Sequence, residues 1–278
     1  SMIFRKRTIP DEEIMTLKEQ RSMLGDQLNF AAAEAYKLLR ANLTFSLPDE
    51  QKCRVVGVTS AVRGEGKSTT SINLAYTLAE TGKRVLLVEA DMRRPQLAHR
   101  LAIDAAPGLS NLLAGLCREK DVVQDVGLLE NMKVITSGDV PPNPSELLGS
   151  ERMSTVVETL AQSFDFIIFD LPPVNAVSDG LVVSRFIQGM IVVVRQDYSD
   201  RQGLSAALRQ LEYMHIKVLG FVMTHSSISG GRYGRYGRYG RYGRYGQYGR
   251  YESESRETGA DQERARKTGS AKSRKSKR

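Results

Sequence analysis

The run Ser60–Ser71, SAVRGEGKSTTS, holds the residue types and spacing most directly suited to chemistry in this chain. Gly64 and Gly66 let backbone N–H groups turn inward around a phosphate, and Lys67 can then reach the β- and γ-phosphates of a nucleoside triphosphate. The Ser68 hydroxyl is placed for Mg2+, and Glu65 and Thr69 complete the stretch expected to bind the nucleotide. The full P-loop pattern opens with glycine six residues before the lysine. Ala61 stands there, so the reading rests on Gly-x-Gly-Lys-Ser and on its neighbours. Two acidic segments supply those neighbours. VLLVEADMRR carries Glu89, Asp91 and Arg93, and FIIFDLPP carries Asp170 with Pro172 and Pro173 directly after it. Carboxylates at the C-terminal ends of parallel strands project into the crevice where such sheets bind ligands, and there they can hold Mg2+ or its waters.

Such a site needs a sheet to position it. Short apolar runs predict strands at Arg54–Ser60, Arg84–Ala90, Lys133–Ser137, Phe164–Asp170, Gly189–Arg195 and Lys217–Met223. Helices are predicted between them, notably Lys67–Glu80, Ser145–Gln162 and Arg201–Met214, with one more at Phe30–Leu43 before the first core strand. Strands apolar along their whole length are buried on both faces, which predicts an α/β fold with a doubly wound, mostly parallel sheet of the P-loop NTPase kind. Residues 27–225 form this domain, after an N-terminal segment of residues 1–26.

Composition agrees with a globular body: 41% of residues are hydrophobic and 26% charged, which excludes a collagen-like or wholly disordered chain. No apolar run reaches the roughly 18 residues of a membrane span. The start, SMIFRKRTIPDEE, lacks the apolar stretch of a secretory leader, so a cytoplasmic protein is expected. Cys53 and Cys117 have no CxxC or His partner nearby and read as buried small hydrophobes.

The charge is concentrated at one end. Of 40 Lys and Arg, 15 follow His225, against 5 of the 32 Asp and Glu, so residues 226–278 carry +10 and the body −2. Seven Gly-Arg-Tyr triplets span Gly231 to Tyr251, broken once at Gln247, with no aliphatic residue among them. Too little apolar surface is present to offset ordering entropy, so this tail is expected to be a disordered strip of tyrosines. Tyr36, Tyr76, Tyr198 and Tyr213 fall in body elements and are expected to be packed or structural.

The order GEGKST, then apolar-ExDxR, then apolar-DxxP resembles the Walker A, A′ and B set of the bacterial tyrosine kinases of capsule and exopolysaccharide production. PGLSNLLAG and PPNPSELLGSERM resemble the same family, over roughly Phe30 to Val222. The resemblance implies an ATP- and Mg2+-dependent protein-tyrosine autokinase. It implies Glu89 as base for the tyrosine hydroxyl, Asp91 beside Mg2+ and Lys67, and Asp170 polarising a metal-bound water. Ser68, Asp91 and Asp170 are thus the expected metal residues. Glu34, Lys37 and Arg40 resemble the family's ExxRxxR subunit contact, with lysine at the first basic place. Tyr233, Tyr236, Tyr239, Tyr242, Tyr245, Tyr248 and Tyr251 stand where the family has its phosphoacceptor cluster, modified in trans by neighbouring copies. Expected partners are further copies of the chain, a separate membrane activator of polysaccharide co-polymerase type that recruits it to the inner face of the membrane, and a tyrosine phosphatase. The alternative is an ATPase switch like those of septum placement and chromosome partitioning, its basic tail gripping nucleic acid. That class carries a signature lysine in its P-loop where this chain has Val62, so nucleic acid is a disfavoured partner.

Overall fold

The computed structural model describes residues 23–47 and 51–226. The tyrosine cluster at 233–251, the rest of the basic tail and residues 1–22 lie outside the described residues.

Helix α1 (Phe30–Ser46) starts where the Asn29 side chain accepts the Ala32 N–H at 2.9 Å, satisfying one of the free donors of a helix start. Strand β1 (Arg54–Ser60) then leads through the glycine-rich loop into α2 (Lys67–Ala79), and β2 (Val85–Glu89) follows. Three short helices, α3 (Leu97–Leu101), α4 (Leu109–Leu113) and α5 (Glu119–Val122), precede β3 (Gln124–Asp125) and β4 (Met132–Ile135). After them come α6 (Pro144–Leu148), α7 (Glu151–Ser163), β5 (Phe166–Asp170), α8 (Asp179–Val183), β6 (Gly189–Arg195), α9 (Arg201–Tyr213) and β7 (Val218–Thr224).

The sheet order is β3-β4-β2-β5-β1-β6-β7, parallel except for the β3–β4 pair. Alternate strand residues feed two cores. Ile167, Phe169, Leu86, Val88 and Val192 face one, while Phe166, Ile168, Leu87, Val56 and Ile191 face the other. A sheet covered on both faces leaves its strand ends as the place where polar side chains can gather, and the chain lays β2, β4 and β5 on one side of β1 and β6 and β7 on the other, which opens a crevice at the strand ends there.

The predicted helix Ser145–Gln162 is two helices. Gly149 ends α6, and Ser150 begins α7 by accepting the Met153 N–H with its hydroxyl at 3.2 Å. The short helices α3 to α5 and the antiparallel β3 carry no periodicity long enough to read. At Gly108, a Cβ would lie 2.3 Å from the Gly138 nitrogen and 2.4 Å from the Thr136 carbonyl oxygen, so two loops cross there at backbone contact. Packing also begins upstream of residue 27: the Gly25 N–H donates to Asn73 Oδ1 and Asn73 Nδ2 to the Met23 carbonyl, both at 2.9 Å. Of the cysteines, Cys53 is buried as expected and Cys117 is half-buried; both are free. Tyr198 and Tyr213 are not packed into the core: Tyr198 is exposed yet structural, its ring centroid 4.8 Å from the Arg195 guanidinium, and Tyr213 is exposed as the last residue of α9.

Candidate active site

The loop between β1 and α2 owes its shape to Gly64 and Gly66, with φ of 80° and 95°, in the left-handed region that L side chains rarely adopt. Glu65 between them is fully buried. Its Oε2 accepts the Val62 N–H at 2.9 Å, its Oε1 accepts the Ser199 hydroxyl, and its carbonyl accepts Thr224 Oγ1 at 2.7 Å. The Glu65 side chain therefore braces the loop from within, and only its backbone is available to a ligand. Arg195 adds a strap from β6, donating to the Gly64 carbonyl at 3.1 Å while its guanidinium sits 4.8 Å from the Tyr198 ring centroid. Beside these residues an open crevice of about 400 Å3 is lined by Ala61, Val62, Arg63, Asn175, Ala176 and Tyr198.

Lys67 begins α2 and its Nζ donates to Asp91 Oδ2 at 3.1 Å, with only 12% of the lysine side chain exposed. Burial lowers its pKa, but the negative charges of Asp170 and Asp91 outweigh this and hold the ammonium above its ordinary value. Asp170 ends β5, in register beside Glu89 on β2 and Val58 on β1. Its Oδ1 accepts the Ser71 hydroxyl at 3.2 Å. Complete burial pushes its pKa up, against the opposing pull of the Lys67 charge. The structure thus brings Lys67, Ser68, Asp91 and Asp170 together at the start of α2. Thr69 joins them, its hydroxyl accepting from Arg100 at 3.1 Å.

Glu89 is held by the backbone around it. Its Oε1 accepts the backbone N–H groups of Gln96 and of Leu97, the latter at 2.8 Å, and its Oε2 accepts that of Ser137 at 3.1 Å. Burial raises its pKa in spite of these donors. A carboxylate with both oxygens held by backbone amides in a dry interior is poorly placed to take a proton from an incoming hydroxyl. The expectation of Glu89 as base does not suit this arrangement, because the extra methylene carries the carboxylate into the start of α3 and the end of β4. Arg93 is a structural ion pair: its Nε donates to Asp179 Oδ2 at 2.7 Å and its Nη2 to Oδ1 at 3.3 Å, while Ser145 also donates to Asp179.

The proposed subunit-contact residues divide. Glu34 and Lys37 pair with each other at 2.8 Å on the exposed face of α1. Arg40 turns onto its own chain, donating to the Thr77 carbonyl at 2.6 Å and to Thr77 Oγ1 at 3.1 Å. Sequence reading missed Ser71, Arg100, Arg195, Ser199 and Thr224. Of these, Ser71 could have been found from its place one helical turn beyond Lys67, whereas the others act across long separations.

A glycine loop entering a helix from the central strand, with carboxylates ending the adjacent strands, defines a P-loop NTPase domain. Residues 53–219 match the family described as AAA domain. The septum site-determining protein MinD of Pyrococcus horikoshii, solved with Mg-ADP, shares the fold at a TM-score of 0.52 and 24% identity, over 66% of this chain and 72% of that one. Nearer likenesses are the tyrosine-protein kinase YwqD of Bacillus subtilis, 34% identical over 197 residues, which are 71% of this chain and 82% of YwqD. The kinase domain of the Escherichia coli tyrosine kinase ETK superposes at a TM-score of 0.68 and 31% identity, over 82% of this chain and 86% of that one. The chain belongs to the bacterial tyrosine-protein kinases.

Proposed function

We propose that this protein transfers the γ-phosphoryl group of ATP to tail tyrosines of a neighbouring copy, among Tyr233, Tyr236, Tyr239, Tyr242, Tyr245, Tyr248 and Tyr251, in the control of capsular or exopolysaccharide export. The observation that carries this reading is Asp170 Oδ2, buried with no hydrogen-bond partner among the described residues, beside Lys67, Ser68 and Asp91. A buried carboxylate oxygen left without a donor is costly unless a ligand completes it, and a Mg2+-bound water is such a ligand. The donor set suits Mg2+: the Ser68 hydroxyl would ligate it, and the Asp91 and Asp170 carboxylates would hold its waters. When bound, Mg2+ would neutralise charge on the transferring phosphoryl group.

The chain's own residues do the rest. Gly64, Glu65 and Gly66 present backbone N–H groups, Lys67 exchanges Asp91 for the phosphates, and Thr69 lies within reach of them. The acceptor phenol approaches through the crevice beside Arg63, Asn175 and Tyr198. Its oxygen bonds to the γ-phosphorus as the bond to ADP breaks, and its proton passes to Asp91, whose Oδ2 is released when Lys67 turns to the phosphates while its Oδ1 keeps the Arg94 N–H. Glu34 and Lys37 contribute to contact with the neighbouring copy. A separate membrane protein recruits the kinase to the inner membrane face, in keeping with the lack of any helix among the described residues long and apolar enough to cross a membrane.

Purified full-length protein incubated with Mg-ATP should acquire phosphotyrosine, which mass spectrometry should map to 233–251. Mixing a Lys67→Met chain with one in which all seven tail tyrosines are Phe should phosphorylate the Lys67→Met tail. Phosphate on the body alone, or none in the mixture, would refute the assignment of acceptors or of transfer between copies.

A further inference from the structure

Arg100 belongs to no motif of the chain, yet it stands against the phosphate-binding loop. It lies in the last turn of α3, 31 positions from Thr69, and donates to the Thr69 hydroxyl at 3.1 Å. Its Nε is buried without a hydrogen-bond partner among the described residues. Arg93 holds Asp179 through two bonds and Arg84 holds Asp165 at 2.9 Å, and Arg195, Arg185 and Arg152 donate to carbonyl oxygens. Arg100 has neither a carboxylate at ion-pair distance nor a bond to a carbonyl among the described residues, only the Thr69 hydroxyl. A guanidinium keeps its charge in proteins, and a partly buried cation with an idle donor and no carboxylate in contact with it destabilises the fold unless an anion arrives. Burial does weaken its hold on its proton, with Asp170 the charge that opposes this.

Thr69 supplies the direction. A hydroxyl that accepts from Arg100 keeps its own proton to donate onward, and Thr69 lies two residues past Lys67 on the same helical turn. We propose that Arg100, with Thr69, is a phosphate-binding residue of the nucleotide site, a second cation acting on the phosphate chain beside Lys67. It rests on the nucleotide-binding reading above and adds a residue to it. The guanidinium's planar fork suits two phosphate oxygens, which a lysine cannot match.

The test is calorimetric titration of the full chain and its Arg100→Gln and Arg100→Lys variants with Mg-ADP, with the melting temperature of each ligand-free protein measured alongside. Arg100→Gln should weaken Mg-ADP by about 10- to 100-fold, the loss expected for a hydrogen bond to a charged group. Arg100→Lys should recover part of that loss. The ligand-free Gln variant should melt at or above the wild-type temperature, because an uncompensated cation has been removed. Pyrophosphate should compete with Mg-ADP on the wild type and lose potency by a similar factor on Arg100→Gln. Wild-type affinity in Arg100→Gln would overturn the proposal, as would unchanged pyrophosphate potency, or a lower melting temperature with affinity intact. If the wild type itself bound no Mg-ADP, the nucleotide reading would fall and this inference with it; binding by wild type and variant alike would remove this inference only.

Discussion

Replacing Glu89 with Gln separates a clamp from a base. The carboxylate takes three backbone N–H bonds, two on Oε1 from Gln96 and Leu97 and one on Oε2 from Ser137. Glutamine keeps one acceptor oxygen. If that oxygen serves Gln96 and Leu97, the amide nitrogen meets the Ser137 N–H donor to donor, and a buried N–H is left unsatisfied. That costs about 1–3 kcal/mol, or a melting temperature lower by roughly 2–10 °C in a body of this size. Glu89→Ala strands all three amides and should cost at least twice as much.

The pH dependence gives the sign. Burial raises the Glu89 pKa in the folded state above its value in the unfolded chain. The folded protein therefore holds this proton more tightly, and the associated stability is full below the unfolded pKa and lost as pH rises through the folded one. Glutamine has no such proton, so the stability gap between wild type and Glu89→Gln should be widest in acid and narrow as pH rises. Urea unfolding of both proteins across pH 4–8 measures the gap. Autophosphorylation in Glu89→Gln at saturating ATP should stay within about tenfold of wild type, below the 10²–10⁴-fold loss of a general base. An unfolding curve identical to wild type at every pH, combined with that larger loss of rate and disappearance of the acidic limb of the rate profile, would refute the clamp and restore Glu89 as base.

Asp170→Asn should abolish Mg2+-dependent phosphoryl transfer yet raise ligand-free stability by about 0.5–2 kcal/mol, since it removes a buried charge whose pKa burial pushes up; thermal melts with and without Mg-ADP would check both halves. Gly108→Ala should cost about 1–3 kcal/mol or prevent folding, because its Cβ would meet backbone atoms 2.3 and 2.4 Å away, and the urea midpoint reports it. Arg40→Ala should lower stability by about 1.5–3 kcal/mol through loss of its bonds to Thr77, whereas Glu34→Ala with Lys37→Ala should leave the monomer's melting temperature nearly unchanged and reduce its assembly by light scattering.

Much of the architecture was legible because the sheet is covered on both faces. Runs such as Val85–Val88 and Phe166–Phe169 are apolar at every position, and such runs stand out between helices with their own period. The same economy marks the chemistry at Lys67, Asp91 and Asp170, where a charged side chain ends an apolar strand or follows a glycine pair. Glu89 shows where that reasoning stops. It ends a strand as Asp170 does, and residue type alone assigns both to the crevice; what separates them is which backbone N–H groups surround each carboxylate. Every residue but proline carries that donor, so no letter of the sequence announces that Gln96, Leu97 and Ser137 converge on Glu89 while Asp170 keeps an oxygen free. Arg100 is the converse case. An arginine in a short helix is ordinary by type and spacing, and its importance rests on the carboxylate that is missing beside it. The charges around this site therefore divide by how completely each is already satisfied: Arg93 and Glu89 are satisfied within the chain and hold it together, whereas Asp170 and Arg100 are each left with an unpartnered buried atom that a ligand would complete.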